Sequence, residues 1–363
     1  MTLTRRDFHR LAGMAAASPF LPSAHGQTGK PPIGWCVIAL GRISMDHFMP
    51  GVKISQTGKI VALVSGHRDK AEKQAAIYGV SSNAIYSYEN MDAIRDNKEI
   101  DAVYVALPNS MHAEYTIRSA KAGKHVLCEK PMATSVADAK SMIDACKAAD
   151  RKLMIAYRCQ YDPEHIKAIE MIRSGQLGQV QAIESAFGFN ISPGEWRLDR
   201  KLSGGGPLMD VGIYCLNASR YLTGEEPNNI KAFSSVIDHD GRFNTVEENV
   251  SWTMEFPSGI VAACNTTYGA NMNGYFRVHG AKGAIEMQNA FNYDGMHLTA
   301  QIGREQKIDE VSPIREPMEF TRQADHFADC IWNNKTPKTP GEEGLRDTEL
   351  LSQIYQAAGL PGL

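Results

Sequence analysis

The chain has 363 residues, 43% of them hydrophobic and 22% charged, enough for two domains with sizeable cores. A formal net charge of −3 argues against a nucleic-acid or anionic-membrane partner, and no apolar run reaches the length of a membrane span. The seven cysteines include no Cys-x-x-Cys pair and no zinc spacing, so inert buried thiols are expected and no metal site.

Residues 1–26 have the pattern of an export signal. Thr4-Arg5-Arg6-Asp7-Phe8 is a twin-arginine motif, the apolar run Leu11–Leu21 follows, and Ala24-His25-Gly26 supplies small residues for cleavage near Gln27. A periplasmic protein exported already folded is the expectation. Residues 27–32 then form a short arm.

Ile33–Leu40 is apolar and free of charge, as a parallel strand buried on both faces requires. It runs into Ala39-Leu40-Gly41-Arg42-Ile43-Ser44, a dinucleotide fingerprint in which only the middle glycine survives. Gly41, Arg42 and Ile43 are therefore candidate diphosphate contacts. Ile60–Val64 predicts the second strand. Its tip carries Ser65 where NAD enzymes place an acid, and Arg68 and Lys70 follow at the start of a helix, Asp69–Tyr78. That combination favours NADP over NAD.

Ile100–Leu107 is a further strand, followed by Pro108, Asn109 and His112 and a helix, Ala113–Ala122. Gly123–Pro131 predicts a buried strand whose end presents Lys130 at the edge where open α/β sheets bind ligands. Leu153–Ala156 completes a doubly wound parallel sheet of the Rossmann type over residues 33–157. After Tyr157 the texture changes. One helix, Pro163–Ser174, precedes strand-like runs at Val180–Phe189, Ile230–Ile237, Asn249–Phe256, Ile260–Tyr268, Phe276–His279 and Ala284–Met287. Residues 158–363 thus predict a mainly antiparallel open-sheet domain for substrate and oligomer contacts. Phe320, Ala324, Phe327, Ala328 and Ile331 have helical spacing, as do Leu350, Leu351, Ile354 and Tyr355.

Several runs together resemble the glucose–fructose oxidoreductase, inositol dehydrogenase and rhizopine-catabolism dehydrogenase (Gfo/Idh/MocA) family. They are Leu107–Glu114, Gly123–Asp138, Tyr157–Pro163, Trp196-Arg197-Leu198 and Gly204–Tyr214, and the match is closest to the sugar (aldose–aldose and glucose–fructose) oxidoreductase branch. The resemblance implies a catalytic Lys130 in Glu-Lys-Pro, with Asp210 and Tyr214 in the place of the Asp-x-Gly-x-His/Tyr motif. It implies NADP contacts from Ser65, Lys70 and Tyr88 at the 2′-phosphate end. Arg158, Trp196, Arg197 and Tyr293 would lie near the nicotinamide, and Leu107, Pro108, Asn109, His112 and Glu129 complete the cofactor set. The sequence departs from the branch in its reduced glycines, short arm and short tail.

A free tyrosine titrates near about 10, so a neutral-pH base needs help. Lys130 is the expected tuner of Tyr214, Asp210 would orient sugar or lysine, and Gly204–Gly206 would let backbone approach ligand. Outside the cytoplasm no NADP pool is at hand, so a retained cofactor recycled between two sugars is the consistent activity. One aldose leaves as lactone and a second sugar carbonyl is reduced. A conventional NADP-dependent aldose dehydrogenase and a nicotinamide-dependent glycosidase are the alternatives. A homodimer through one face of the open sheet is also expected.

Overall fold

The structure is a computed structural model that describes residues 29–304 and 306–363. The export motif lies outside the described residues. From Pro32 onward, two sheets organise the chain.

The first sheet has six parallel strands in the order β3-β2-β1-β4-β5-β6. They are β1 (Ile33–Ile38), β2 (Gly58–Val64), β3 (Ile85–Tyr86), β4 (Ala102–Val105), β5 (His125–Cys128) and β6 (Leu153–Ile155). Every residue of β1 and β4 is buried, as uncharged strands covered on both faces must be. Between them run α1 (Met49–Ile54, entered through a π-wound turn at Ile43–Phe48), α2 (Arg68–Tyr78), α3 (His112–Lys121) and α4 (Val136–Ala148). The Ser135 side chain caps α4 by accepting from the Asp138 amide. β1 pairs with both β2 and β4, so the strand order reverses between β1 and β4 and opens a crevice at their C-terminal ends.

β1 stops at Ile38, two residues before the expected end. Ala39 has φ 72°, a left-handed turn at the first glycine position of the fingerprint, which ends the ladder. Ala39→Gly removes the Cβ penalty and loses part of the gain to unfolded-chain entropy. A net stabilisation of about 1 kcal/mol is expected, read as a higher denaturation midpoint; a lower midpoint contradicts the strain.

The second sheet has eight strands in the order β14-β13-β12-β11-β7-β10-β9-β8. They are β7 (Val180–Gly188), β8 (Asn229–Ser235), β9 (Asn249–Glu255), β10 (Val261–Thr267), β11 (Met272–Gly280), β12 (Gly283–Gln288), β13 (His297–Ile302) and β14 (Gln306–Val311). All neighbours are antiparallel except β7 and β10. β9 alternates buried Val250, Trp252 and Met254 with exposed Ser251 and Thr253, so one face of the sheet is open. Helices α5 (Pro163–Arg173) and α6 (Ile213–Thr223) belong to this half.

The last two helices, α7 (Met318–Trp332) and α8 (Gly341–Ala357), return to the first sheet. Phe327 of α7 packs on Trp35, with ring centroids 5.8 Å apart, and Trp35 meets Phe48 edge-on at 5.2 Å. Thr339, just before α8, accepts from the Ile155 amide at 2.8 Å. A Cβ on Gly344 would lie 2.8 Å from Ile155 and Met132 atoms, so α8 rests directly on β6 and the segment after β5. All seven cysteines are buried and free, as expected.

Candidate functional site

Lys130 stands two residues past the end of β5, and its side chain is 11% exposed. Its ammonium donates to the Asp210 backbone carbonyl at 2.6 Å and to Asp210 Oδ1 at 3.2 Å. The same nitrogen sits over the Tyr214 ring, 4.7 Å from its centroid. The three residues expected to carry the chemistry are thus in contact, at the C-terminal edge of the parallel sheet.

Asp210 stands in a π-wound turn, Leu208–Gly212, that runs straight into α6, where Tyr214 is the second residue. Asp210 Oδ2 accepts from Arg197 Nε at 2.9 Å and from the Tyr268 hydroxyl at 2.7 Å. Burial opposes ionisation here, but Arg197, Lys130 and the Tyr268 hydroxyl outweigh it and hold the Asp210 carboxyl well below the usual range. Asp210 therefore stays an anion that fixes the lysine. Tyr268, from the end of β10, was not a sequence candidate.

The glycines before this turn serve packing rather than ligand approach. A Cβ would lie 2.6 Å from Thr134 at Gly204, 2.0 Å from the Tyr355 hydroxyl at Gly205 and 2.5 Å from the Glu247 carbonyl at Gly206. Glu247, buried and also unforeseen, accepts from the Gly206 amide at 3.0 Å, the Leu208 amide at 3.3 Å and the Tyr355 hydroxyl at 2.8 Å. It caps the turn that carries Asp210 and Tyr214.

The expected electrostatics of Tyr214 need correction. Burial pushes its phenol above the ordinary value, and the cation that chiefly opposes burial is Arg158, not Lys130, whose ammonium is committed to Asp210. Arg158, just after β6, is sandwiched between the rings of Tyr214 (5.3 Å) and Tyr293 (4.3 Å). It is 4% exposed and donates to Glu319 Oε2 at 2.6 Å, to the Asn292 carbonyl at 2.9 Å and to the Phe291 carbonyl at 2.5 Å. Tyr293 in turn stacks on His47, with ring centroids 4.1 Å apart. Arg158 and Tyr293 are therefore brought to Tyr214, held by Glu319 and the loop after β12.

Other candidates divide. Ser65 follows β2, Gly66 lies under the Tyr88 ring (a Cβ would come to 3.1 Å), and Lys70 is the third residue of α2. Arg68 is held elsewhere, bonded to Glu72 at 2.8 Å and to the carbonyls of Ile85 and Ser82. The fold also uses Asn109, which donates to the Ser203 carbonyl at 2.8 Å. His112 is buried, and its ring nitrogens meet the carbonyls of Pro131 and Leu107 at 2.8 Å each, tying the end of β4 to the lysine turn. Pro108 leads the short turn before α3. Glu129 is buried, accepting from the Tyr104 hydroxyl at 2.5 Å and the Lys130 amide at 3.2 Å. Arg42 is exposed and lies 3.7 Å from Glu195, which also reaches Arg197 at 3.7 Å; the Trp196 ring lies 4.7 Å under Arg197. Residues 195–197 thus join the glycine turn to Asp210. Ile43 opens the π-wound turn behind Gly41.

This arrangement fits a dinucleotide. A Cβ on Gly41 would meet nothing within 4 Å, so protein packing does not demand glycine there, and its backbone is free to approach a diphosphate. Along the same sheet edge, only β4 separates the Gly41 turn after β1 from Lys130 after β5.

Two family models match the chain. One is described as an oxidoreductase family with an NAD-binding Rossmann fold, over residues 33–157, and the other as the GFO/IDH/MocA C-terminal domain, over residues 165–286. The chain is 42% identical to the aldose-aldose oxidoreductase of Caulobacter crescentus, solved in complex with glycerol. That alignment covers 91% of this chain and 98% of the other, with a TM-score of 0.87. It is 29% identical over 332 residues to D-xylose 1-dehydrogenase [NADP(+)] of Haloarcula marismortui, covering 90% and 91% of the two chains. A 3-ketoreductase from Actinomadura kijaniata, solved with NADP and TDP-benzene, shares the fold at 22% identity over 90% of this chain and 98% of that one, with a TM-score of 0.79.

Proposed function

Because the chain belongs to the GFO/IDH/MocA family of oxidoreductases, we propose that it is an exported, NADP-holding aldose oxidoreductase. It oxidises an aldose to its lactone and passes the hydride to the carbonyl of a second sugar in a ping-pong cycle. The single observation that carries this reading is the Lys130–Asp210–Tyr214 cluster at the edge of a dinucleotide crevice. The 42% identity to an aldose-aldose oxidoreductase supports the sugar substrate, and the twin-arginine motif supports a periplasmic location.

Ser65 and Lys70, with the Tyr88 ring beside them, would hold the 2′-phosphate of NADP, and Gly41 the diphosphate. When bound, NADP supplies the nicotinamide carbon that takes and returns hydride. Lys130 donates a hydrogen bond to the reacting sugar oxygen while Asp210 keeps its ammonium in place. Tyr214, kept protonated by burial, donates its proton to the acceptor carbonyl. In the oxidation half it receives the sugar proton as its own proton leaves. Arg158 stabilises the negative charge that develops on the phenol oxygen in that step. The exposed sheet face, which includes Phe233 and Val261, is the proposed seat of a homodimer; light scattering that finds a monomer removes that part.

Purified protein is expected to release NADP on denaturation. Adding an aldose should raise the near-ultraviolet absorbance of reduced nicotinamide, and a second sugar should bleach it. Nucleotide-free protein that needs added NADP for every turnover points instead to the conventional dehydrogenase. Lys70→Ala should weaken NADP but not NAD, measured by titration of nucleotide-stripped protein. One charge-assisted contact to phosphate corresponds to about 1.5–3 kcal/mol, or roughly ten- to hundredfold in Kd. Equal loss for both nucleotides argues against a 2′-phosphate contact.

A further inference from the structure

If burial keeps Tyr214 protonated, aldose oxidation needs an outlet for its proton. Lys130 cannot provide one while it is an ammonium bonded to Asp210. A small cavity lies against both residues, lined also by Tyr157, Asn217 and Tyr221. Its volume of about 10 Å³ is near the lower bound for one water.

Most polar groups around it are already committed. Asn217 accepts from Gln160 Nε2 at 2.9 Å and donates to Asp347 Oδ2 at 2.9 Å and to Glu343 Oε1 at 3.2 Å. The Tyr221 hydroxyl pairs with His165 Nδ1 at 2.7 Å. The Tyr157 hydroxyl differs: it is fully buried and has no hydrogen-bond partner of good geometry among the described residues. Asp347 lies beside it, within loose hydrogen-bond reach, and its charge opposes ionisation of the phenol. Asp347 is itself fully buried and bonded to Arg220 at 2.5 Å, and Arg220 also binds the part-exposed Glu343 and Glu226. A continuous polar path therefore leads from the cavity to the surface between α6 and α8.

We infer that Tyr157 and Asp347 form the proton outlet of the oxidation half-reaction, reached from Tyr214 through one water held in the cavity. The inference rests on the reading of Tyr214 as the acid/base. The sugar O–H bond breaks as the hydride leaves its carbon for the nicotinamide. The sugar proton bonds to the Tyr214 oxygen, and the proton Tyr214 carried passes to the water. The water passes one of its protons to Tyr157, and the Tyr157 proton goes to the Asp347 carboxylate. One hydride and one proton leave the sugar, and each relay member ends with the proton count it began with except Asp347, which gains one. Burial holds the Asp347 carboxyl above the usual carboxylate range against the pull of Arg220, so it is suited to take up and release a proton.

Tyr157→Phe tests this with little risk to the fold, because the hydroxyl it deletes is buried and only loosely bonded, to Asp347. Its thermal midpoint should stay close to that of the wild type. Single-turnover reduction of the bound nicotinamide by an aldose should slow by roughly tenfold or more, with an altered solvent deuterium effect. Infrared difference spectra on aldose addition should show a protonated-carboxyl band in the wild type that Asp347→Asn and Tyr157→Phe both lack. If Asp347→Asn does not fold, Tyr157→Phe decides alone. A Tyr157→Phe protein that oxidises aldose at the wild-type rate with an unchanged infrared band overturns the outlet and leaves the proposed function standing. Wild-type protein that reduces its nicotinamide with no aldose overturns both.

Discussion

Tyr214→Phe is expected to slow both sugar half-reactions by roughly 10²–10⁴-fold, the usual range for loss of a positioned acid/base. The substitution keeps the ring, which packs edge-on against Phe187 at 5.6 Å and beside Phe291 at 5.5 Å. Fold and nucleotide content should therefore match the wild type. Burial raises this phenol and Arg158 only partly offsets it. The sign follows: a raised phenol carries its proton throughout the neutral range. The reduction half, which spends that proton, should be flat with pH below the titration of the phenol. Stopped-flow measurement of each half-reaction from mildly acid to mildly alkaline pH checks this. A phenylalanine variant within a few-fold of wild type ends the assignment.

Glu319→Ala carries the largest expected loss of stability. Arg158 and Glu319 are 5% and 3% exposed at the side chain and meet at 2.6 Å. Burial pushes the Glu319 carboxyl up while Arg158 pulls it down. Arg158 cannot shed its proton to escape. Removing the acid strands a buried guanidinium, a loss of about 3–5 kcal/mol. The double variant Arg158→Met, Glu319→Leu separates stability from chemistry. Replacing a buried pair by apolar residues is often near neutral for stability, so it should fold, yet Tyr214 would have lost the cation that opposes burial. Urea denaturation should then give near-wild-type stability together with slow half-reactions. Full activity in the double variant would show that Arg158 only fills space.

Sequence alone carried the parallel half of the fold, because strands buried on both faces leave uncharged apolar runs such as Val103–Val105 and Val126–Cys128. The grouping of Lys130, Asp210 and Tyr214 came from the family resemblance, since all three lie in runs that match it. β13 and β14 were missed: Leu298 and Ala300 alternate correctly, but with too few apolar residues to stand out from a loop. The two-residue β3 left no pattern at all. The site's supports were hidden for another reason. Glu319, Glu247 and Tyr268 act on residues 161, 41 and 58 positions away, and no local pattern encodes a partner at such distance. The same blindness explains Arg68, Asn109 and His112. Their types suit a nucleotide contact, but the fold directs their side chains to backbone carbonyls of its own.

The return of α7 and α8 to the first sheet matters to anyone building chimeras. Residues 33–157 look like a portable nucleotide-binding cassette, yet Phe327 and Phe320 cover that half from the far end of the chain, against Trp35 and Gly51. A graft cut at residue 157 would lose these covers and aggregate. Donor swaps should move residues 33–157 and 318–357 as a pair and exchange only what lies between them.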